Sequence, residues 1–557
     1  MLEKTNWFKN QKRLAMTILI IGGGVVYFNA LFGQLFWDDY DGIVNNIYIK
    51  DWSYWRHYFT DNLIAGAGLQ SNYWRPMLLL IFSLGWKIWG LWPVGFHLIN
   101  IVIHILAGGL LFQLLYLLTK KTWLAFFSTL FFIVHPLQTE AVSYVSGLAD
   151  PLSVVFIFSG LLVHLKNRHK QSSWLVAIFF ILALMTKEKS VLLFPALLSL
   201  LETSLFFQEN IQEISFRKIQ IFLKKLFLRY WPLLAIGVFY LLLRATSLNF
   251  QNTFNLYDSP NLYADHLSIR IWTFFKIFPQ YLGLIFWPFN LHMERLVAIE
   301  QSPFSLPVLV GLIFLSLIFI RLFFLIKSHP LAFFGLSWFL FALLASSGIP
   351  AVSAGIMYEH YLYLPLGGFF FWLALEIENL ILKNHFGNQA KRIGFIFLFF
   401  YTLFLGFLTI QRNRVWKTPI ALYENILKYN QTSLRVWNNL GMAYADIGQT
   451  EKAILAYQKA IELDPEKQSL PPRHNLANAL VEMGKKKEAK KLYQEILLTD
   501  PKFIFSYTPL LKILIEEKEF SSGINFFQIL RQKAPEKHWE IDAIIEELRQ
   551  REKISHE

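Results

Sequence analysis

Cysteine is absent from the 557 residues and charge is scarce: 16% are Asp, Glu, Lys or Arg, against 55% hydrophobic and 17% aromatic. Without thiols there are no disulfides, no thiolate catalysis and no Cys-ligated zinc, and a cysteine-free chain of this size points to a prokaryotic source. A soluble chain carries roughly 25% charged residues, so the deficit excludes an ordinary soluble enzyme. It falls in the first three quarters, where apolar runs of about 20 residues recur. From Arg412 onward the charge density rises to soluble levels, dividing the chain into a membrane block, 1–411, and a hydrophilic tail, 412–557.

The net charge of +13 resides in short clusters between apolar runs, at Lys4 to Arg13, Lys166 to Lys170, Arg217 to Arg229 and Lys383 to Arg392. Cytoplasmic loops concentrate Lys and Arg, so these clusters read as topology signals and no nucleic-acid partner is expected. The first apolar run lacks a small-residue cleavage site and is read as a retained span. Candidate spans are 14–36, 94–118, 122–135, 149–165, 173–186, 189–203, 230–246, 304–326, 331–348, 359–382 and 392–410, about 11 in all. With the N-terminus cytoplasmic, segment 37–76 and the tail are extracytoplasmic, which in a bacterial inner membrane means periplasmic. Segment 76–91, interrupted by Lys87, is expected to lie at the interface. Segment 267–290 is apolar enough to cross, but crossing would invert the later loops, so it is read as re-entrant or interfacial.

The tail repeats itself. W-x2-L-G-x2-Y at Trp437, Leu440, Gly441 and Tyr444 continues through Gly448, Ala453, Tyr457, Ala460 and Pro465. A second copy keeps Leu476, Ala477, Gly484, Ala489, Tyr493 and Pro501 at an offset of 36, and a weaker third keeps Tyr507, Leu510, Gly523, Phe527 and Pro535 at 34. Tyr423 and Ile426 fit the second helix of a partial repeat. This is the pattern of tetratricopeptide repeats, an α-solenoid of about three repeats plus a partial one, closed by a polar cap at 536–557. Such an array either binds extended polypeptide or serves as a docking platform.

The scarce charges of the membrane block recur near the predicted external ends of spans. Asp38, Asp39, Asp41, Asn45 and Asn46 follow the first span, and Asn72 to Pro76 read N-Y-W-R-P with Arg75. His97, Asn100 and His104, three and four apart, share one face of the second span. Ionisable groups in spans mark a functional site or helix-to-helix hydrogen bonds, and both readings stay open. His135, Glu140, Asp150, Lys187, Glu188, Lys189, Arg244, Glu359, His360 and Tyr361 lie on the same predicted face. Together they suit a cavity for a charged head group or, more plainly, a salt-bridge network. The tryptophans near the outer interface, Trp37, Trp52, Trp55, Trp74 and Trp92, read mostly as interfacial anchors.

The blocks W-D-D-Y-D-G-I-V-N-N, Y-W-R-P, F-H-L-I-N-I-V-I-H, V-H-P-L-Q-T-E-A-V-S-Y-V-S-G-L-A-D, K-E-K-S and E-H-Y-L-Y-L-P, followed by the repeats, resemble the transmembrane-and-tetratricopeptide O-mannosyltransferases and their bacterial relatives over nearly the whole chain. The resemblance implies an all-α, polytopic GT-C-type glycosyltransferase domain followed by the solenoid. It also implies a polyprenyl-phosphate-linked sugar donor and, in the first external loop, an acidic pair: Asp38 as catalytic base with Asp39 its neighbour. Two positions depart from it, Leu148 and His360, where the family usually has Arg.

The sequence therefore leads to a membrane glycosyltransferase that moves mannose or another hexose from a lipid phosphate to a hydroxyl, expected on Ser or Thr of a polypeptide held by the repeats. Asp38 is placed to accept the hydroxyl proton, and Arg75, His97, Lys187, Glu188, Arg244 and His360 to bind donor phosphate and sugar. Asn72, Asn100, His104, His135, Glu140, Asp150, Glu359 and Tyr361 form a supporting polar network. No cofactor is required beyond the lipid-linked donor; a divalent ion on Asp39 and Asp41 is the one metal candidate. The alternative is a catalytically inactive membrane-anchored repeat scaffold that assembles envelope proteins.

Overall fold

The computed structural model describes residues 2–168, 174–211, 214–251, 262–349, 355–383, 388–466 and 468–556. Lys170 and residues 384–387 of two basic loops lie outside them. Among the described residues every regular element is helical. The chain separates into two compact units, Met1–Thr418 and Pro419–Glu557.

In the first unit the main helices are α1 (Leu2–Tyr27), α2 (Pro76–Trp89), α3 (Pro93–Thr119), α4 (Thr122–Val134), α5 (Ala149–Lys166), α6 (Trp174–Leu184), α7 (Ser190–Glu209), α8 (Phe216–Ala245), α9 (Leu267–Phe286), α10 (Leu306–Ser328), α11 (Pro330–Ser346), α12 (Tyr363–Lys383) and α13 (Asn388–Val415). Each of the 11 expected spans is a helix, and eight stretches, including α1, α3, α7, α8, α10 and α13, are long and apolar enough to cross a membrane. Three expected spans are shorter, α4 with 13 residues, α6 with 11 and α11 with 17. They fall below the ~20 residues a crossing helix needs. α9, a continuous helix of 20 residues with Pro279 inside it, is not among the eight.

One apolar core joins α1 and α3–α13. α11 and α12 cross at Gly335 and Gly368, where a Cβ on Gly368 would lie 2.7 Å from the Gly335 carbonyl oxygen. Small residues permit this backbone approach in a bilayer, where packing replaces the hydrophobic drive between helices. α2, expected at the interface, buries Leu78, Leu79 and Phe82 against Ile43, Ile49 and Tyr58 of the segment after α1 and Leu148 and Leu152 of the α5 entry, and leaves Leu80, Leu84 and Ile88 exposed. The acidic loop thus rests on its own small core.

The second unit is a row of helices: α14 (Pro419–Leu427), α15 (Leu434–Asp446), α16 (Thr450–Glu462), α17 (Pro471–Glu482), α18 (Lys486–Thr499), α19 (Tyr507–Glu516), α20 (Phe520–Lys533) and α21 (His538–His556). Three helix pairs, a preceding half-repeat and a terminal helix match the sequence reading. The turn inside each pair needs a left-handed residue: Gly448 (φ 74°), Gly484 (φ 76°) and, in the degenerate third copy, Lys518 (φ 56°). Only glycine adopts that conformation without a Cβ clash.

Candidate functional site

α1 ends in a turn that reverses the chain, and Trp37 takes a left-handed φ of 56° immediately before the acidic pair. A bulky residue there is uncommon and marks a constrained loop. Asp38 to Val44 then form a helical turn that exposes Asp38 and points Asp39 inward. The Asp39 carboxylate is fully buried. Its Oδ1 accepts from the Ser146 backbone N–H at 2.8 Å and the Ser146 hydroxyl at 2.5 Å, and its Oδ2 from the Phe36 N–H at 3.1 Å. Burial pushes its pKa up to about 7 against these three bonds, and Asp38 adds to the rise. The Asp38 N–H donates to the Tyr144 hydroxyl at 3.0 Å, and the Tyr144 ring stacks on Phe36 and on Trp416. Asp41 is half-buried, which with Asp38 raises its pKa too.

The segment holding Tyr144 and Ser146 runs into α5, whose first turn supplies Asp150. Asp150 meets Lys187 at 2.5 Å. In the same loop Glu188 forms a two-pronged pair with Arg75, both contacts 3.0 Å, and Arg75 also lies on the Tyr73 ring. Burial would raise Glu188, but Arg75 overcomes it and holds the carboxyl below its usual range. Lys189 is buried, with its ammonium 3.8 Å over the Tyr361 ring and no carboxylate at ion-pair distance among the described residues. Burial and the neighbouring Lys187 depress its pKa strongly. His360 faces Glu140, ring nitrogen to Oε1 2.8 Å and backbone N–H to Oε2 3.0 Å. Burial pushes Glu140 up, but His360 more than offsets this and holds it low. Glu359 lies between Arg295 at 3.0 Å and Arg412 at 3.3 Å.

Asp150, Lys187, Lys189, Ser346, His360 and Tyr361 line one small cavity of about 10 Å³, room for a single water. Of the residues assigned to donor binding, Lys187 and His360 reach it. Arg75 and Glu188 are spent on each other beside it, and Arg244 donates to the backbone carbonyls of Leu248 and Asn72 at 2.7 and 2.5 Å. His97 is buried against Gly33, away from the cavity.

The polar stripe of α3 acts inside the bundle. Asn100 donates to the carbonyls of Tyr144 and Val145 at 2.9 and 3.1 Å, while His104 bonds the Tyr363 hydroxyl at 2.7 Å and the Ile133 carbonyl at 3.1 Å. His135 ties the end of α4 to the Ile285 carbonyl at 2.9 Å. Among the described residues no three His, Asp or Glu side chains converge as metal ligands. The Asp39 oxygens already accept three hydrogen bonds, so Asp39 with Asp41 does not fit a metal site. Tyr144, Ser146, Arg295 and Arg412 carry contacts that sequence reasoning did not assign to the site. Tyr144 and Ser146 lie inside one of the blocks quoted above, but nothing in their spacing told which would turn inward.

Packed apolar helices with their ionisable groups gathered at helix ends define a multi-pass membrane protein with an appended solenoid. Tetratricopeptide repeat models match residues 434–467 and 473–499. A protein O-mannosyl-transferase of Caenorhabditis elegans is 27% identical over 81% of this chain and 63% of its own length. Protein O-mannosyl-transferase TMTC3 of Homo sapiens is 22% identical over 87% and 54%, and tmtc2 of Xenopus laevis 23% over 79% and 61%. The matches thus cover about three fifths of these relatives. No solved structure matches the chain. Across most of both units the chain is therefore similar to the TMTC-type protein O-mannosyl-transferases.

Proposed function

We propose that this protein is a GT-C-type glycosyltransferase that transfers a hexose from a polyprenyl-phosphate donor to a hydroxyl of a polypeptide at the extracytoplasmic face, with the repeats capturing the acceptor chain. The observation that carries the reading is the linkage of exposed Asp38, through Tyr144 and the α5 entry, to a cavity holding Lys187 and Lys189. Asp38 accepts the proton of the acceptor hydroxyl. The hydroxyl oxygen attacks the anomeric carbon, the bond from that carbon to the phosphate oxygen breaks with its electron pair leaving on the phosphate, and configuration inverts. Lys187, with Lys189 drawn into its protonated form beside the arriving anion, stabilises the departing phosphate. Asp39 positions the loop and stays out of the chemistry. A phosphoryl group exceeds the present cavity, so donor entry requires the Lys187–Lys189 segment to shift.

Purified full-length protein should move labelled mannose from polyprenyl phosphate to a Ser/Thr-rich peptide. Asp38→Asn should lower turnover by about 10²–10⁴-fold with unchanged melting; full activity in that variant overturns the assignment. One observation favours the inactive scaffold instead: Leu148 is fully buried in the apolar core beneath the acidic loop, so no cation stands there. Absence of turnover with retained binding of polypeptide by the full chain would decide for it.

A further inference from the structure

A second, larger cleft opens at the other end of the same helices. α7, α11 and α12 contribute Ser190, Ser346 and Leu364 to the small cavity, and Gln208, His329, Glu378 and Asn379 at or beside their opposite ends to the cleft. From Ser190 to Gln208 the helical rise is roughly 27 Å, close to the ~30 Å hydrocarbon core. The cleft therefore stands at the headgroup level of the leaflet opposite the acidic pair. Its free volume of about 270 Å³ exceeds what ordered water needs and approaches the size of small-ligand sites.

Its chemistry is mixed. Lys121 and Glu378 meet at 2.6 Å with their side chains 45% and 15% exposed. Glu376 is held by Arg321 at 2.6 Å and by the Trp372 indole N–H at 3.1 Å. His329 and Gln208 are exposed, and Pro330, Leu331 and Leu375 supply an apolar floor. Trp123, two residues beyond Lys121, and Phe323 and Phe324, a turn before Ser328, expose apolar surface suited to acyl chains. This end of the unit otherwise carries Lys166, Arg168 and the Arg217–Arg229 run, which attract anionic lipid without selectivity. The other carboxylates at this end, Glu202 and Glu209, are taken up by Arg168, whereas the cleft sets Glu376 and Glu378, each beside a cation, around an open volume.

We propose that this cleft binds the headgroup of a phosphatidylethanolamine-type lipid. Glu378, the Asn379 carbonyl and the Gln208 carbonyl accept from the primary ammonium, and Lys121 and His329 face the phosphate. A primary ammonium offers three N–H donors; a quaternary choline offers none, and glycerol headgroups bring no positive charge for Glu378. The inference is independent of the transferase reading.

Native mass spectrometry of the delipidated full chain, with phosphatidylethanolamine, phosphatidylcholine and phosphatidylglycerol of matched acyl chains, tests it. One ethanolamine-lipid adduct should form at about tenfold lower concentration than either competitor, the size of one charge-assisted hydrogen bond. Glu378→Gln should abolish that preference and, by leaving Lys121 uncompensated, turn it toward phosphatidylglycerol. Asn379→Leu, which fills the cleft, should lower all specific adducts. Equal binding of the three lipids by the unaltered protein, or an undiminished ethanolamine preference in a folded Glu378→Gln protein, overturns the proposal.

Discussion

Ser146→Ala removes the hydroxyl that donates to Asp39 Oδ1 and leaves the N–H donors of Ser146 and Phe36 in place at 2.8 and 3.1 Å. Asp39 is fully buried, so no water takes over the lost donor. A hydrogen bond to a charged group contributes about 1.5–3 kcal/mol, so a loss of about 2 kcal/mol is expected. Its pH dependence has a definite sign. Between 3.8 and about 7 the native state holds the Asp39 proton more tightly than the unfolded chain. This group's contribution is therefore greatest below that window and falls as pH rises through it. Above the window the carboxylate is ionised in both states and depends most on its donors, so the Ser146→Ala loss should be larger near pH 9 than near pH 5. Denaturant unfolding in detergent, followed by tryptophan fluorescence, gives the number. A double-mutant cycle with Asp39→Ala isolates the pair: coupling of at least ~1 kcal/mol is expected, and a value below about 0.3 kcal/mol refutes the account.

Leu148→Arg, which brings back the charge usual in the family, should destabilise the chain by about 3 kcal/mol or more, because the side chain would enter an apolar core without a partner; the same unfolding assay reads it. Lys189→Met should stabilise the protein while abolishing transfer. Its ammonium is easier to deprotonate when folded, so stability of the unaltered protein should climb with pH toward the ordinary lysine value, and the Met variant should lose that rise. Lys518→Gly should stabilise the third repeat by about 1 kcal/mol by relieving a left-handed backbone, seen as slower hydrogen exchange in α19 and α20; unchanged exchange would contradict it.

Most of the helical plan was legible because it is written in local periods. Runs of apolar residues located the helices of all 11 expected spans among the 13 main helices of the first unit, and spaced Trp, Gly, Ala, Tyr and Pro located the repeats, down to the weak third copy. At α4, α6 and α11 the helices end one or two residues inside the apolar runs that located them. The apolar face of α2 was legible too, but not the loop that covers part of it.

The charged groups mark the boundary of what sequence alone determined. It established that the few ionisable residues recur near helix ends and that an acidic pair follows α1. Only the tertiary structure decided that Asp38 is exposed while Asp39 is buried, that Glu188 occupies Arg75 and Glu140 occupies His360, and that Lys189 is left over a tyrosine ring. The partners are 113 and 220 residues apart for the two pairs. Ion pairing in a low-dielectric interior is set by ångström distances between helix ends, and no local pattern in the chain encodes those distances.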